Sequence, residues 1–257
     1  MSETNLRMHI SSAGRLRGTL ISALALSFAA AWLTGAATPA RADSPSVAAE
    51  SLWQDALADF AAADRKQAPP PGAVLFVGSS SIRLWENLET DFHDAPVVIK
   101  RGFGGSRLTD CVKFLDRLVI GYRPRQVLLY AGDNDLAEGS TPQQVLERVE
   151  AFADGVHSRL PDTRVTFISI KPSPARRALI PQMRAANKLV REYALTHSGV
   201  DYVDVFTPML TADGAPRREL FRDDALHLNR NGYALWRAII RPFLEQRVAG
   251  SFAPAAR

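Results

Sequence analysis

LFVGSSSIRLW, residues 75–85, places three consecutive serines directly after a run of residues typical of a buried strand. Residues 73–77 predict a short β-strand, and the apolar spacing from Ile82 onward predicts a helix, so the serines fall in the turn between them. Strand-to-helix turns of this kind present reactive groups in α/β folds. Serine is also a favoured helix N-cap, and on its own the stretch favours capping over a nucleophile.

Beyond this stretch, short apolar runs alternate with helical patterns along the chain. Strands are predicted at residues 73–77, 96–99, 126–130, 164–170 and 200–205. Helices are predicted at residues 51–66, 82–88, 107–120, 142–160, 180–197 and 231–248. Strands separated by helices predict an α/β fold, a three-layer, flavodoxin-like sandwich with a five-stranded parallel sheet.

Polar or glycine-rich segments follow most of the predicted strands. They are residues 78–81, 102–106 and 132–135 after the first three strands, and a loop containing residues 223–227 beyond the fifth. Chemistry in an open parallel sheet collects at the carboxyl ends of its strands. These four segments are therefore the candidates for a functional site.

The four segments contain the parts that acyl transfer to water requires: a nucleophile, a base, a group that orients the base, and donors for an oxyanion. Ser80 offers a hydroxyl, and His227 offers the type of side chain that titrates closest to neutrality. Asp224 lies three residues before His227, close enough to orient its imidazole. Gly105 lets a backbone N–H approach a substrate, and the amide of Asn134 can donate two hydrogen bonds.

Four blocks of sequence occur in chain order: FVGSSS, GFGGS, YAGDND and DALHLNRNGY. Together they resemble the SGNH (GDSL) hydrolase family over about residues 73–245, and most of all the branch similar to the platelet-activating-factor acetylhydrolase subunits. The resemblance implies the SGNH hydrolase fold. It also implies a triad of Ser80, His227 and Asp224, and an oxyanion hole formed by Ser80, Gly105 and Asn134.

One position departs from the family pattern. The first block usually reads Gly-Asp-Ser, and here Ser79 occupies the middle position. The resemblance still places the nucleophile at Ser80. The change leaves the triad intact and removes a carboxylate that usually orders the site, so it bears on rate and substrate geometry more than on the type of reaction.

These features predict a serine esterase that hydrolyses short-chain acyl esters, above all acetyl esters, without a cofactor or a metal. The resemblance to the acetylhydrolase branch and the lack of a lid-like apolar insertion favour short acyl groups. A small molecule or a glycan ester is the expected substrate. Two alternatives stay open: an O-acyltransferase that uses the same site, and a non-catalytic glycan-binding domain.

Other motifs fit the sequence less well. Neither glycine-rich segment has the Gly-x-Ser-x-Gly spacing of an α/β-hydrolase elbow, and Arg107 stands where a dinucleotide fingerprint needs its third glycine. No calcium-loop ligand series follows Asp133 and Asp135. Asp135 and Asn229 are expected to brace the site. Core positions are predicted for three further side chains, Trp85, Cys111 and Trp236.

The first 42 residues have the organisation of a secretory signal peptide. Arg7, Arg15 and Arg17 precede an apolar stretch at residues 20–37, and the small-x-small site 40–42 follows. Cleavage after Ala42 would leave a single domain at residues 43–257 in a secreted or periplasmic protein, with an N-terminal helix at about 51–66 and a catalytic core at about 73–248. If the segment were kept, it would be a membrane anchor.

The charge of the chain gives little support to a nucleic-acid partner. The formal net charge is +4, but residues 1–42 hold four of the 31 basic residues and one of the 27 acidic residues, so their removal would leave +1. A nearly neutral domain has no general electrostatic attraction for phosphate backbones. No nucleic acid is expected to bind.

Overall fold

The structure is a computed structural model that describes residues 45–93 and 97–245, with side chains described for residues 53–93 and 97–244. The predicted signal peptide, its cleavage site at Ala42 and the end of the predicted C-terminal helix lie outside the described residues. The division of the chain at residue 43 therefore stays a prediction. In the described ranges no helix is long and apolar enough to cross a lipid bilayer.

A five-stranded parallel sheet forms the centre of the fold, in the order β2-β1-β3-β4-β5. The strands are β1 (Val74–Gly78), β2 (Val98–Gly102), β3 (Gln126–Tyr130), β4 (Arg164–Ile168) and β5 (Val200–Val203). Every adjacent pair of strands is parallel. The predicted α/β class and five-stranded parallel sheet are confirmed.

The register brings the ends of three strands together. Gly78 at the end of β1 pairs with Gly102 of β2 on one side and with Tyr130 of β3 on the other. Parallel strands that end in register deliver the segments that follow them to one edge of the sheet. The serine turn therefore emerges between the segments that follow β2 and β3.

The second strand lies farther along the chain than its predicted range of 96–99. It begins at Val98 and includes Lys100 and Arg101. Because these two residues are charged, the strand extends beyond the apolar run that predicted it. Lys100 donates to the carbonyl of Trp85, and Arg101 forms an ion pair with Asp64. Both charges thus have partners beside the sheet, which lets an edge strand carry them.

Helices cover both faces of the sheet. The helices of the described residues are α1 (Pro45–Lys66), α2 (Ser80–Arg83), α3 (Leu88–Asp91), α4 (Leu108–Lys113), α5 (Leu115–Leu118), α6 (Asp133–Ala137), α7 (Pro142–His157), α8 (Ile180–Thr196) and α9 (Arg230–Glu245). One core cluster joins the sheet to α1, α4, α5, α7 and α8. The second joins it to α2, α3 and α9. The three predicted layers are therefore present.

The first strand shows how the two cores form. Leu75 and Val77 point into one cluster, whereas Val74 and Phe76 point into the other. Alternation with a period of two, with both faces apolar, is the pattern of a fully buried parallel strand. Each such buried side chain contributes about 1.5–3 kcal/mol relative to exposure.

Several predicted helix boundaries were wrong. The helix predicted at 107–120 ends at Lys113 and restarts at Leu115, and the helix predicted at 82–88 is two separate helices that flank residues 84–87. The polar segment after β3, for which no helix was predicted, forms the short helix α6. Apolar spacing alone does not report such breaks, because the same face stays buried on both sides of them.

Candidate active site

Ser80 begins α2 immediately after the end of β1. Gly78 has φ +143, and a Cβ there would overlap the carbonyl oxygen of Tyr130, so this position requires glycine. The close approach of β1 to β3 at Gly78 thus lies directly before the turn that carries Ser80. On the other side, the hydroxyl of Tyr233 donates to the carbonyl of Ser81 at 2.9 Å. Ser80 is thus held between the sheet and α9.

His227 and Asp224 lie beside this serine, as the sequence predicts. The Nε2 atom of His227 is 3.0 Å from Oγ of Ser80, and its Nδ1 atom is 2.6 Å from Oδ2 of Asp224. A carboxylate only accepts hydrogen bonds, so Nδ1 carries the hydrogen and Nε2 is left to accept from the serine hydroxyl. This arrangement prepares the imidazole to take the serine proton.

The loop that carries Asp224 and His227 is held together by hydrogen bonds to its own backbone. Oδ1 of Asp224 accepts from the N–H groups of Leu226 and His227, each at 2.9 Å. Ala225 adopts φ 55, which turns the chain between them. The slight burial of Asp224 would raise its pKa, but the N–H and imidazole of His227 and the N–H of Leu226 lower that pKa well below its ordinary value. Asp224 therefore stays ionised beside the imidazole.

Asn229 braces the end of the same loop. Its Nδ2 donates to the carbonyls of Glu219 and Phe221, and its Oδ1 accepts from the N–H groups of Asn231 and Gly232. The side chain thus joins the loop to the first turn of α9. The structure supports the predicted bracing position of Asn229.

Gly105 lies in the turn that follows β2. The N–H of Ser106 donates to the carbonyl of Phe103, and Gly105 has φ +80 with nothing within 4 Å of the position that a Cβ would take. Positive φ at the third residue of a four-residue turn is the geometry of a type II turn, which favours glycine. The peptide at Gly105 is therefore open to an approaching molecule.

Asn134 lies in the first turn of α6, and both ends of its amide have partners. Nδ2 donates to the carbonyl of Ser106 at 3.0 Å, and Oδ1 accepts from Nη2 of Arg176 at 2.8 Å. The amide NH₂ group has two hydrogens, and the contact with Ser106 uses one of them. Asn134 is joined in this way to the turn that contains Gly105.

Asp135 holds the same turn from the other side. Its carboxylate accepts from the N–H of Leu108 at 3.1 and 3.2 Å and forms an ion pair with Arg148 at 2.7 Å. Burial raises the pKa of Asp135, and the bonds from Leu108 and Arg148 offset only part of that effect. The bracing position predicted for Asp135 is the one that the structure shows.

Sequence reasoning missed the buried ion cluster next to Asn134. Asp133 forms ion pairs with Nζ of Lys171 at 2.9 Å and with Nη1 of Arg176 at 3.2 Å, and Lys171 also donates to the hydroxyl of Tyr130 at 3.0 Å. Lys171 and Arg176 follow β4, a strand after which the sequence analysis places no candidate residue. A charged side chain just beyond a buried strand was the available signal.

The charges in this cluster stabilise one another. Burial would raise the pKa of Asp133, but the positive charges of Lys171 and Arg176 outweigh it and lower that pKa. Burial would lower the pKa of Lys171, but Asp133 and Tyr130 raise it. Burial raises the pKa of Tyr130 to about 12. The aspartate and the lysine are therefore both charged near neutral pH.

Four further residues singled out in the sequence are buried. Ser79 is fully buried, and its Oγ has no hydrogen-bond partner among the described atoms. Trp85, Cys111 and Trp236 are buried in the core as predicted. Among the residues that the structure describes, no group of three or more His, Cys, Asp or Glu side chains is placed to hold a metal ion.

Comparisons with known proteins were made for the sequence and for the fold. The profile of the GDSL-like Lipase/Acylhydrolase family matches residues 71–235. A search of curated protein sequences found no match.

Several solved structures share the fold at low sequence identity. A protein from Streptococcus pneumonia, provisionally named a platelet activating factor, is 21% identical with a TM-score of 0.68, over 77% of this chain and 97% of that one. A GDSL-like lipase from Bacteroides thetaiotaomicron is 22% identical with a TM-score of 0.63, over 74% and 97%. A carbohydrate esterase family 3 protein from Talaromyces cellulolyticus is 18% identical with a TM-score of 0.56, over 69% and 98%.

These structural neighbours establish the fold, and the profile covers more than half of the chain, including the serine turn, the Gly105 turn, Asn134 and His227. The chain belongs to the GDSL-like lipase/acylhydrolase family.

Proposed function

We propose that this protein is a serine esterase that hydrolyses short-chain acyl esters at Ser80. The observation that carries the proposal is the hydrogen-bonded chain from Ser80 through His227 to Asp224, with contacts of 3.0 and 2.6 Å. The three side chains come from two segments 147 residues apart in sequence. A nucleophile, a base and an orienting carboxylate in this order are the parts of a hydrolytic triad.

In the first half of the reaction, Nε2 of His227 takes the proton of Ser80 while Oγ attacks the ester carbonyl carbon. The carbonyl oxygen becomes an oxyanion. When it reforms the double bond, the bond to the alcohol oxygen breaks, and the alcohol leaves with the proton from the imidazolium. The acyl group is now an ester of Ser80.

Water completes the cycle by the same steps. His227 takes a proton from a water molecule, and the resulting hydroxide attacks the acyl carbon. The second oxyanion collapses, Ser80 regains its proton from His227, and the carboxylic acid leaves. Asp224 stays ionised throughout and stabilises the imidazolium in both halves.

Three N–H groups are proposed to bind the oxyanion: the backbone N–H of Ser80, the backbone N–H of Gly105 and the second hydrogen of Asn134 Nδ2. The contact between Asn134 and Ser106 supports this assignment, because it joins the amide to the turn that carries Gly105. Donors fixed before the reaction need no reorganisation as charge develops, which makes them effective.

The proposed substrates are acetyl or similarly short esters, carried by a carbohydrate or by a small molecule. The resemblance to acetylhydrolases supports the short acyl group. The fold shared with a protein named a carbohydrate esterase makes sugars a reasonable first set of alcohols to test. The chemistry proposed for the described side chains requires no cofactor.

We also propose that the protein acts outside the cytoplasm, after removal of residues 1–42. The basic, apolar and small-x-small segments of the sequence support this. The intact mass of protein recovered from the exported fraction should correspond to a chain that begins at Asp43. Full-length protein in the membrane fraction would contradict it.

Hydrolysis of p-nitrophenyl esters of increasing chain length tests the reaction itself. Acetate should be turned over faster than octanoate, and Ser80→Ala should abolish turnover. Ser79→Ala and Ser81→Ala are matched controls on either side and should keep measurable activity. Turnover that survives in Ser80→Ala but is lost in a neighbouring variant would contradict the assignment. Added sugar should not speed p-nitrophenol release. Faster release in the presence of sugar would instead indicate an acyltransferase.

A further inference from the structure

Arg176 contacts the proposed oxyanion residue directly, although it belongs to neither the triad nor the oxyanion hole. Its Nη2 donates to Oδ1 of Asn134 at 2.8 Å. Arg176 lies in the 3₁₀ segment Pro174–Leu179, at a residue whose φ of −115° and ψ of 31° interrupt the helical backbone. The side chain is mostly buried, with 17% of its surface exposed.

The position of Arg176 is fixed from two other parts of the chain, α6 and the triad loop. Nη1 lies 3.2 Å from Oδ2 of Asp133, an oxygen that also receives Lys171 at 2.9 Å. The neighbouring N–H of Ala175 donates to the carbonyl of Ala225 in the triad loop at 3.0 Å. The guanidinium is therefore held against α6, while the backbone beside it is held at the loop that carries His227.

This contact determines which way the amide of Asn134 faces. A guanidinium has only donors, and the carbonyl of Ser106 is only an acceptor. Oδ1 must therefore face Arg176, and Nδ2 must face Ser106, because a flipped amide would oppose donor to donor and acceptor to acceptor. The second hydrogen of Nδ2 is thereby aimed in one direction.

The positive charge also changes the strength of the donor. A charged group that donates to Oδ1 draws electron density from the amide and makes its N–H groups better donors. The effect grows as negative charge develops on the partner of the N–H, so it is larger in the transition state than with the neutral ester. It would raise kcat more than it lowers KM.

We propose that Arg176 is a positioning residue for ester hydrolysis, which orients and polarises the Asn134 amide while Asp133 holds the guanidinium in place. The inference rests on the proposed function of Asn134 as an oxyanion donor. Arg176 acts through Asn134 and does not itself touch the substrate.

A double-mutant cycle with p-nitrophenyl acetate tests this dependence. Arg176→Met should lower kcat by about 10- to 100-fold, the usual range for one hydrogen bond to a charged group. Its KM should stay within about twofold. Asn134→Ala should lower kcat by about 10²- to 10³-fold. In the Asn134→Ala background, Arg176→Met should change kcat by less than about twofold, because the amide through which it acts is gone.

Two further variants separate this role from a general effect on the fold. Arg177→Met, a change at the exposed neighbouring arginine, should leave kcat unchanged. Arg176→Lys keeps the charge but cannot make both contacts with the geometry of a guanidinium, and it should give an intermediate kcat. If thermal melting shows that Arg176→Met is not folded, the same double-mutant cycle is measured with Arg176→Lys in its place.

The outcomes distinguish the inference from the function on which it rests. Suppose that Asn134→Ala lowers kcat, but that Arg176→Met has the same effect in the wild-type and Asn134→Ala backgrounds, or no effect in either. The positioning role of Arg176 is then wrong, and the oxyanion assignment of Asn134 stands. Wild-type kcat in Asn134→Ala would instead contradict the oxyanion assignment, and the role of Arg176 with it.

Discussion

The side chains proposed to move protons lie near the surface, whereas those around the proposed oxyanion residue lie in the interior. The side chains of His227 and Asp224 are 24% and 46% exposed. Those of Lys171 and Asp133 are 1% and 5% exposed. The two groups are called here the proton side (Ser80, Asp224, His227) and the oxyanion side (Asp133, Asn134, Lys171, Arg176).

The two sides are also connected differently along the chain. On the proton side, acid and base are three residues apart and share one loop. On the oxyanion side, α6 is joined to the segment after β4 by contacts that span 38 and 42 residues. A base that must activate water benefits from access to solvent, whereas donors to an oxyanion act best when they are fixed in a low dielectric.

Because of this difference, the two sides should respond differently to mutation. A change on the exposed proton side removes a step of the chemistry and leaves the packing intact. A change in the buried cluster leaves a charge without its partner and destabilises the fold as well. Rate and stability, measured together on each variant, separate the two cases.

The largest effect is expected on the proton side. His227→Ala should lower kcat by about 10⁶-fold, and Asp224→Ala by about 10⁴-fold, because the carboxylate orients the base and does not itself exchange the proton. Steady-state kinetics and thermal melting on the same samples measure both properties. The melting temperatures should stay close to that of the wild type. A large drop in His227→Ala would contradict the expectation that the exposed proton side can be changed without loss of stability.

The next largest effect is expected on stability. Lys171→Met should lower the free energy of unfolding by about 3–5 kcal/mol, because it leaves Asp133 buried with one cation fewer. The matched control is Lys188→Met, which removes the exposed pair with Glu192 and should cost at most about 0.5 kcal/mol. Urea unfolding measures both variants. Equal values would show that the buried cluster is no more important than a surface pair.

Acidification should affect activity before it affects the fold. The proposed base accepts a proton only in its neutral form, so kcat/KM should fall as the pH is lowered. The pKa values of Asp133 and Asp224 are lowered, so their contribution to stability is present above the ordinary aspartate range and is lost only below it. Activity that stays flat from about pH 8 to pH 5 would argue against a histidine base.

The smallest effect concerns the turn between acid and base. Ala225 has φ 55, a conformation that costs a non-glycine residue about 1 kcal/mol. Ala225→Gly relieves this strain but gives the unfolded chain more freedom, so the free energy of unfolding in urea should stay within about 0.5 kcal/mol of the wild type, with little change in kcat. Ala234→Gly, an exposed position inside α9, is the matched control and should destabilise by about 1 kcal/mol. Destabilisation by both would show that Ala225 is not strained.

The sequence predicted the fold class and the residues of the proton side because both leave local signals. Apolar runs marked β1 and β3, and the three-residue spacing of Asp224 and His227 marked the acid and the base. The strand β2 was misplaced, because Lys100 and Arg101 find their partners only in the folded chain.

The buried part of the oxyanion side could not be predicted in the same way. Asn134 was identified from its block, but its surroundings depend on Arg176 and Lys171, which arrive from beyond β4. Neither Arg176 nor Lys171 lies at a distance along the sequence that would predict its contact with α6. A buried ion cluster formed across strands is a property of the packing, and the local pattern of a single sequence does not contain it.

Covalent labelling identifies the nucleophile, proposed to be Ser80, without depending on the choice of substrate. A fluorophosphonate reacts with an activated serine and stays attached, so the intact mass should increase by one adduct. Peptide mapping should place the adduct on Ser80, with no adduct in Ser80→Ala or His227→Ala and normal labelling in Ser79→Ala. An adduct on another serine, or labelling that persists in Ser80→Ala, would contradict the account.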